Sequence, residues 1–433
     1  MNKIRQYFNT LEITKGFFIA LLASLFIYLN HWGFSYPIFI TIFALTSLFL
    51  LLQAKKETWF WYGIFIGVFW FWWIALSLNH YGYAWGFPVG IVIISLMYGI
   101  IFYTLAWLSE KVETHFKIHS VLLKALALFG FSYLHPFGFD WLKPELMFLE
   151  SYLGIEKWQF GLILLSILLS IWKNNLIFLL LIFIAYQPST PVSQTIDPNI
   201  QLVSTQVTVE DKWNETLHQE QFNTIFKAIE QAIDANKTLI VLPESVFPTF
   251  LNHSQVLIDT LQEKSQHIAI VVGGLYWDNN TPRNSTYIVV NNKVTIANKV
   301  LLVPFGESNP LPDFLSDWVN KVFYDGAVDY KASSDITDYK IAGITYRNAI
   351  CFEATSEKLY KKDKNGNYPQ HMIVISNNGW FTPSIEPTLQ KLLLQYYSKK
   401  YGTTIYHSVN MSPSYVIRDG KIGEYFSQKH ISN

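Results

Sequence analysis

Seven long apolar runs crowd the first 187 residues of this chain, near 16–31, 36–53, 58–78, 87–109, 119–135, 158–172 and 175–186. About 20 such residues in a helix cross the hydrocarbon core of a bilayer. The runs therefore predict an α-helical polytopic membrane domain over residues 1–187, with about seven spans, the last two short. Charge follows the same division: residues 1–190 carry only 19 charged side chains, and the rest lie beyond. The formal net charge is zero, and without a basic excess nothing points to a nucleic-acid partner.

The loop charges predict the orientation. Lys3, Arg5 and Lys15 precede or open the first run, Lys55 and Lys56 follow the second, Lys111 and Lys117 the fourth, and Lys173 the sixth. All fall on one side of the bilayer, as cytoplasmic positive charge does. An odd number of spans then delivers Tyr186-Gln187-Pro188 to the outer face. The first run lacks a small-x-small cleavage site and reads as a retained span. Trp70, Phe71, Trp72, Trp73, Tyr81, Tyr83 and Trp85 read as an interfacial belt, and residues 138–145 as an amphipathic segment on the membrane surface.

A connector at 188–198, rich in Pro, Ser, Thr and Gln, marks a domain boundary. Residues 199–433 then alternate in pattern. Strands are predicted over 199–209, 238–242 and 267–275, the last ending in a Gly273-Gly274 turn. A helix over 214–233 presents Phe222, Ile225, Phe226, Ile229 and Ile233 on one face. A hairpin over 285–299 turns at Asn291-Asn292. Strands at 339–351 and 371–376, a helix at 387–401, and strands at 403–409 and 414–425 follow. This order predicts a mixed sheet covered by helices, of α/β type, in a segment long enough to bury a sizeable core.

Three polar groups interrupt the apolar strands. Glu244 follows Thr238-Leu239-Ile240-Val241-Leu242-Pro243, Lys299 closes the hairpin ahead of Pro304-Phe305-Gly306-Glu307, and Cys351, the sole cysteine, lies between Ala349-Ile350 and Phe352-Glu353. A thiol nucleophile, a carboxylate base and an ammonium for the oxyanion are the parts of acyl transfer through a thioester. Ligands collect at the C-terminal edge of such sheets, where partial desolvation raises a glutamate pKa toward that of a base. A helix starting after Cys351 would favour its thiolate. Each residue also has a structural reading. Glu244 suits a helix cap or strand-end ion pair, Lys299 a solvated surface charge, Glu307 a loop carboxylate, and Cys351 a small core residue. A lone cysteine suits an oxidising compartment.

In this order, at spacings of 55 and 52 residues, and joined by Leu302-Val303-Pro304-Phe305-Gly306-Glu307 and Ser376-Asn377-Asn378-Gly379-Trp380-Phe381, the motifs resemble the nitrilase superfamily. With the membrane domain ahead of them, they resemble its apolipoprotein N-acyltransferase family over essentially the whole chain. The resemblance implies a nitrilase-like αββα sandwich for 199–433, on the periplasmic face of a bacterial cytoplasmic (inner) membrane. It implies Glu244 as general base, Lys299 as oxyanion stabiliser and Cys351 as nucleophile, with Glu307 and Glu353 in support. Asn284, Trp213, Trp380 and Phe381 are implied in substrate binding. The implied partners are a phosphatidylethanolamine-like phospholipid donor, a diacylglyceryl lipoprotein acceptor and the bilayer. No cofactor or metal is implied, and no metal-spaced His/Cys cluster is present. Phe352, Ala297, Asn378, Gln395 and Tyr397 depart from the family pattern. A polar tail stands where relatives carry a last membrane helix, which predicts tethering on the N-terminal side alone.

Two other functions fit parts of the sequence. A membrane-tethered nitrilase-type amidase acting on another amide or lipid uses the same triad but needs no lipid-facing opening. A non-catalytic lipoprotein-binding or transport protein accounts for the membrane half and leaves the triad without a role.

Overall fold

A computed structural model describes residues 9–80, 82–134, 139–187, 197–304, 306–307, 330–363 and 365–426. The connector expected at 188–198 lies outside the described residues except for 197–198, as do Tyr81, Phe305 and the tail at 427–433. Contacts divide the chain into two compact units. The first collects Met1–Pro136, Asp140–Pro191 and Pro383–Leu392, the second Phe137–Phe139, Val192–Thr382 and Leu393–Asn433.

Each apolar run of the first unit is helical, because lipid offers no partner to a backbone group that the segment leaves unpaired. The helices are α1 (Thr10–His31), α2 (Pro37–Gln53), α3 (Lys56–Phe71), α4 (Gly86–Phe116), α5 (Ser120–Phe131) and α6 (Lys157–Trp172), followed by a 3-10 segment, Leu176–Ala185. Among the described residues, Thr10–His31, Lys56–His80 and Gly86–Phe116 are long and apolar enough to cross a membrane, and four further apolar helices are shorter. α3 and α4 touch through small residues: a Cβ on Gly67 would lie 2.6 Å from Ser95 Cα, and one on Gly63 would strike the Tyr98 carbonyl. Small residues four apart permit this backbone approach.

Two expectations fail in this unit for part of their residues. Trp70, Phe71 and Trp73 are buried instead of forming a belt. Trp70 Nε1 donates to Ser24 Oγ at 3.0 Å and Trp73 Nε1 to the Trp70 carbonyl at 2.7 Å, so their polar tips are satisfied inside. Residues 140–145 are also buried and do not lie on a surface. Their charges are paired, Lys143 with Asp140 at 2.6 Å and Glu145 with Lys157.

The second unit is built on two sheets. β1 (Ile200–Leu202), β2 (Leu239–Val241), β3 (Phe247–Phe250), β4 (Ala269–Asp278), β5 (Thr281–Val290) and β6 (Lys293–Asn298) form the first, in order β1-β2-β4-β5-β6 with β3 also on β4. β7 (Asp338–Ile341), β8 (Ile344–Ile350), β9 (His371–Asn377), β10 (Thr404–Asn410), β11 (Ser414–Arg418) and β12 (Lys421–Phe426) form the second, in order β12-β11-β10-β9-β8-β7. β1, β2 and β4 run parallel, as do β8, β9 and β10.

Strand alternation divides the core in two. Leu239, Val241, Val271 and Ile288 of the first sheet meet Tyr346, Ile350, Ile373 and Ile375 of the second. On the opposite face Ile240, Ile270 and Val272 are covered by Ile225 and Ile229 of α7 (His218–Asp234) and Leu261 of α8 (Gln255–Lys264). α9 (Glu386–Tyr401) makes the crossover between parallel β9 and β10. This is the expected αββα sandwich.

The predicted strands and helices differ from the observed ones where turns intervene. Residues 339–351 form a hairpin about Ala342-Gly343, and 414–425 one about Asp419-Gly420. All four turn residues have positive φ, as do Asn291 and Asn292 of the predicted hairpin, which two-residue hairpin turns demand. The strand expected over 199–209 stops at Leu202, and Val209–Lys212 becomes a helical turn capped by Thr208. The helix expected from 214 starts at His218, behind a 3-10 turn. β3 and α8 add elements the pattern did not predict. Gly273 and Gly274 lie inside β4, not at its end. A Cβ on Gly273 would sit 2.5 Å from Ser245 N and 2.7 Å from Glu244 Cα, so this glycine admits the backbone that carries Glu244.

Candidate active site

Three strands deliver the candidate triad. β2 runs into Leu242-Pro243-Glu244, β6 into Lys299, and β8 into Cys351. Lys299 is 2% exposed, which removes the reading of a solvated surface charge. Its Nζ lies 2.8 Å from Glu307 Oε2 and 3.8 Å from Glu244 Oε1. Asn284, on β5, donates from Nδ2 to Glu244 Oε1 at 2.7 Å and to Glu307 Oε1 at 2.9 Å. Val303 N donates to Glu307 Oε2 at 2.9 Å. One amide thus holds both carboxylates about one ammonium. Burial works against the charge on Lys299, yet Glu307, Glu244 and Cys351 outweigh it and hold its pKa well above the ordinary lysine value.

Cys351 is partly buried against the core between the sheets. Its φ of 53° is left-handed, an uncommon and costly conformation for a residue with a side chain. The backbone bends there from β8 into a 3-10 turn, Cys351–Thr355. The helix expected after Cys351 is only this five-residue turn, too short for a developed dipole.

Glu353 fixes the bend. Its Oε1 accepts from Ile350 N at 2.8 Å, and its Oε2 from Val300 N at 2.7 Å and Leu301 N at 3.1 Å. A single buried carboxylate therefore ties the turn at Cys351 to the loop after Lys299. Burial raises its pKa to about 7, against the pull of Lys299 and of these N–H donors.

Lys212 belongs to the same cluster, although no apolar strand announces it. The turn Val209–Lys212 brings it inward to 2% exposure, and its Nζ donates to the Glu244 carbonyl oxygen at 3.1 Å. Burial lowers its pKa to about 8, while Glu244 and Cys351 act in the opposite sense. The sequence signal is a capped turn, Thr208-Val209-Glu210-Asp211, just past β1. The neighbouring Trp213 is 43% exposed. Trp380 and Phe381 lie half-buried in the 3-10 turn Asn378–Phe381 behind β9. This turn packs near Val209, since a Cβ on Gly379 would lie 3.4 Å from Val209 Cγ2. The three aromatic residues thus sit on two adjacent turns.

Comparison with known proteins matches residues 10–188 to the apolipoprotein N-acyltransferase integral membrane domain. The apolipoprotein N-acyltransferase of Wolinella succinogenes is 40% identical over 417 residues, 95% of this chain and 97% of that one. The chain belongs to the apolipoprotein N-acyltransferase family. The Helicobacter pylori apolipoprotein N-acyltransferase is 35% identical over 396 residues, 90% of each chain. A CN-hydrolase superfamily protein from Xanthomonas campestris is similar with a TM-score of 0.41 and 12% identity, over 52% of this chain and 85% of that one. As a member of the apolipoprotein N-acyltransferase family, the chain is a multi-pass membrane protein of acyltransferase type.

Proposed function

We propose that Cys351 carries an acyl chain from a phospholipid to the N-terminal α-amine of a diacylglyceryl-cysteine lipoprotein. What supports this reading is that Glu244, Lys299 and Cys351 each stand at the end of a strand, with Lys299 Nζ 3.8 Å from Glu244 Oε1, in a chain of the apolipoprotein N-acyltransferase family. In the first half-reaction Glu244 accepts the thiol proton while Cys351 Sγ attacks the sn-1 ester carbonyl. Lys299 stabilises the oxyanion. The tetrahedral intermediate collapses to a thioester, and lysophospholipid leaves as the alcohol with the proton held by Glu244. In the second, the neutral α-amine attacks the thioester. Glu244 takes its proton and returns it to the departing sulfur as the amide forms.

The other residues support these steps. Glu307 holds Lys299, Glu353 holds the bend at Cys351, and Asn284 orients Glu244. Trp213, Trp380 and Phe381 are assigned to substrate approach. The loop charges favour placing residues 199–433 on the periplasmic face of the bacterial inner membrane, behind spans within 1–187 and a linker at 188–198. The test is intact mass after incubation with phosphatidylethanolamine. One acyl adduct is expected on the parent chain and none on Cys351→Ala, and full lipoprotein acylation by that variant overturns the proposal.

A further inference from the structure

The first unit holds an apolar groove of about 600 Å³. Ile38, Thr41, Leu45 and Phe49 of α2 line it, at spacings of three and four that set them on a single helix face. From Ile38 to Phe49 that face runs about 16 Å, close to half of the roughly 30 Å hydrocarbon core. Leu176, Leu180 and Phe183 of the 3-10 segment line it too and are 67%, 59% and 73% exposed. In a membrane unit such side chains meet lipid, so the groove is one leaflet deep, apolar and open to acyl chains.

Its end at the N-terminus of α2 is polar and held by hydrogen bonds. Tyr152 and Tyr186 line this end. Tyr152 N donates to Thr41 Oγ1 at 3.1 Å, and Gln187 N to the Tyr152 carbonyl at 2.9 Å. Trp32, Phe34 and Tyr36, just ahead of α2, are each more than half exposed, as aromatic residues at the head-group level are. Glu150 stands two residues before Tyr152, a reach of about 7 Å at most. Ser35 Oγ donates to Glu150 Oε2 and ties it to the same end of α2, while Asn30 Nδ2 donates to both of its oxygens at 2.9 Å. All these partners are neutral, and among the described residues no lysine or arginine pairs with Glu150. Asn30 Oδ1, on the side chain that holds Glu150, is buried and meets no donor among the described residues. A carboxylate and an amide oxygen at the mouth of an apolar groove call for a ligand with positive charge, N–H donors and a hydrocarbon tail.

We propose that this groove binds one phospholipid with a primary ammonium head group, its acyl chain along α2 and its ammonium at Glu150. The ammonium supplies charge and N–H donors together. A choline head group brings charge without N–H, and a head group of net negative charge meets repulsion. On the sidedness proposed above, the lipid comes from the outer leaflet. Every residue of the groove and its mouth belongs to the first unit, and the inference does not depend on Cys351 or on acyl transfer: this lipid is held, not consumed.

The test is lipid retention. The full chain is reconstituted in bilayers of equal phosphatidylethanolamine, phosphatidylcholine and phosphatidylglycerol with the same chains, then extracted in mild detergent, and the intact lipids it keeps are counted by native mass spectrometry. The parent should keep phosphatidylethanolamine about tenfold over phosphatidylcholine, the effect of one charge-assisted hydrogen bond, and phosphatidylglycerol least. Glu150→Gln keeps the shape and removes the charge, and should bring that preference close to one. Leu180→Trp adds bulk at a lipid-facing position of the groove, and should lower retention of phosphatidylethanolamine at least fivefold. A parent without the preference overturns the proposal whether or not the variants fold. So does a preference that survives in folded Glu150→Gln, or parental retention in Leu180→Trp, which would place the lipid elsewhere. Cys351→Ala should match the parent. Loss of the preference in that chain would assign the lipid to the thiol and overturn the proposal, whereas a parent that keeps the lipid but forms no acyl adduct would reject the acyl-transfer reading and leave this site standing.

Discussion

Glu244 and Glu307 share one asparagine amide and one lysine, so the two carboxylates must be told apart by chemistry instead of position. Glu244 is assigned to proton transfer and Glu307 to holding Lys299. Glu244→Gln and Lys299→Ala should each lower thioester formation by several orders of magnitude, since removing one oxyanion donor alone costs about 10²–10³ in rate. Glu307→Gln should retain measurable adduct. Single-turnover adduct assays separate the cases, and parental adduct rates in Glu244→Gln with none in Glu307→Gln would move the base to Glu307. A second prediction follows from Lys212. Its folded pKa of about 8 lies below the ordinary 10.5, so between those values the unfolded chain binds more protons than the folded one. Stability of the α/β unit should therefore rise with pH across about 8 to 10.5, by an amount on the order of 3 kcal/mol at most. Lys212→Gln should flatten that rise in unfolding measured against pH. The candidate triad can be picked out in the sequence because each member breaks an apolar strand. Lys212 cannot, because its burial depends on a four-residue turn whose inward face no periodicity marks.

Elements were legible where the chain alternates and hidden where it turns tightly. The Asn291-Asn292 hairpin announces itself through two residues that tolerate positive φ, whereas Ala342-Gly343 sits inside a run that reads as one strand. Gly273-Gly274 misled in the other direction, suggesting a turn when close backbone approach was the reason for glycine. The two glycines should respond differently to the same change. A methyl at Gly273 meets main-chain atoms of Ser245, Glu244 and Pro243, which cannot yield without moving the candidate base. A methyl at Gly274 meets chiefly the Leu251 side-chain end, at 2.5 Å, which can rotate. Gly273→Ala should cost about 1–3 kcal/mol of stability and lower acylation at least tenfold in the folded fraction. Gly274→Ala should be the milder of the two in both respects. Thermal unfolding and adduct rate measured on both chains check the order, and equal losses would remove the steric argument at Gly273.

At the scale of the whole molecule, the apolar runs located the helical segments of the first unit, but their lengths did not follow from hydrophobicity alone. Three helical stretches satisfy length and composition for crossing, and four apolar helices among the described residues are shorter. Small-residue contacts and buried indoles, as at Gly67 and Trp70, show that part of the apolar surface serves packing within the unit instead of facing lipid. Sidedness is therefore argued from charge, with lysines of the loops after the second, fourth and sixth runs retained inside. The sole native cysteine makes this directly testable, because Cys351→Ala yields a chain without thiols. In that background Lys117→Cys, at the exposed end of α4, and Asn292→Cys, at the exposed hairpin turn, report opposite sides. A membrane-impermeant maleimide should label position 292 in cells whose outer barrier alone has been opened, and position 117 only after the inner membrane is lysed. If position 117 labels first and 292 only after lysis, the orientation is reversed, and the proposed phospholipid donor and lipoprotein acceptor would have to be met on the cytoplasmic face. Labelling of both before lysis would require an even number of crossings between the two positions.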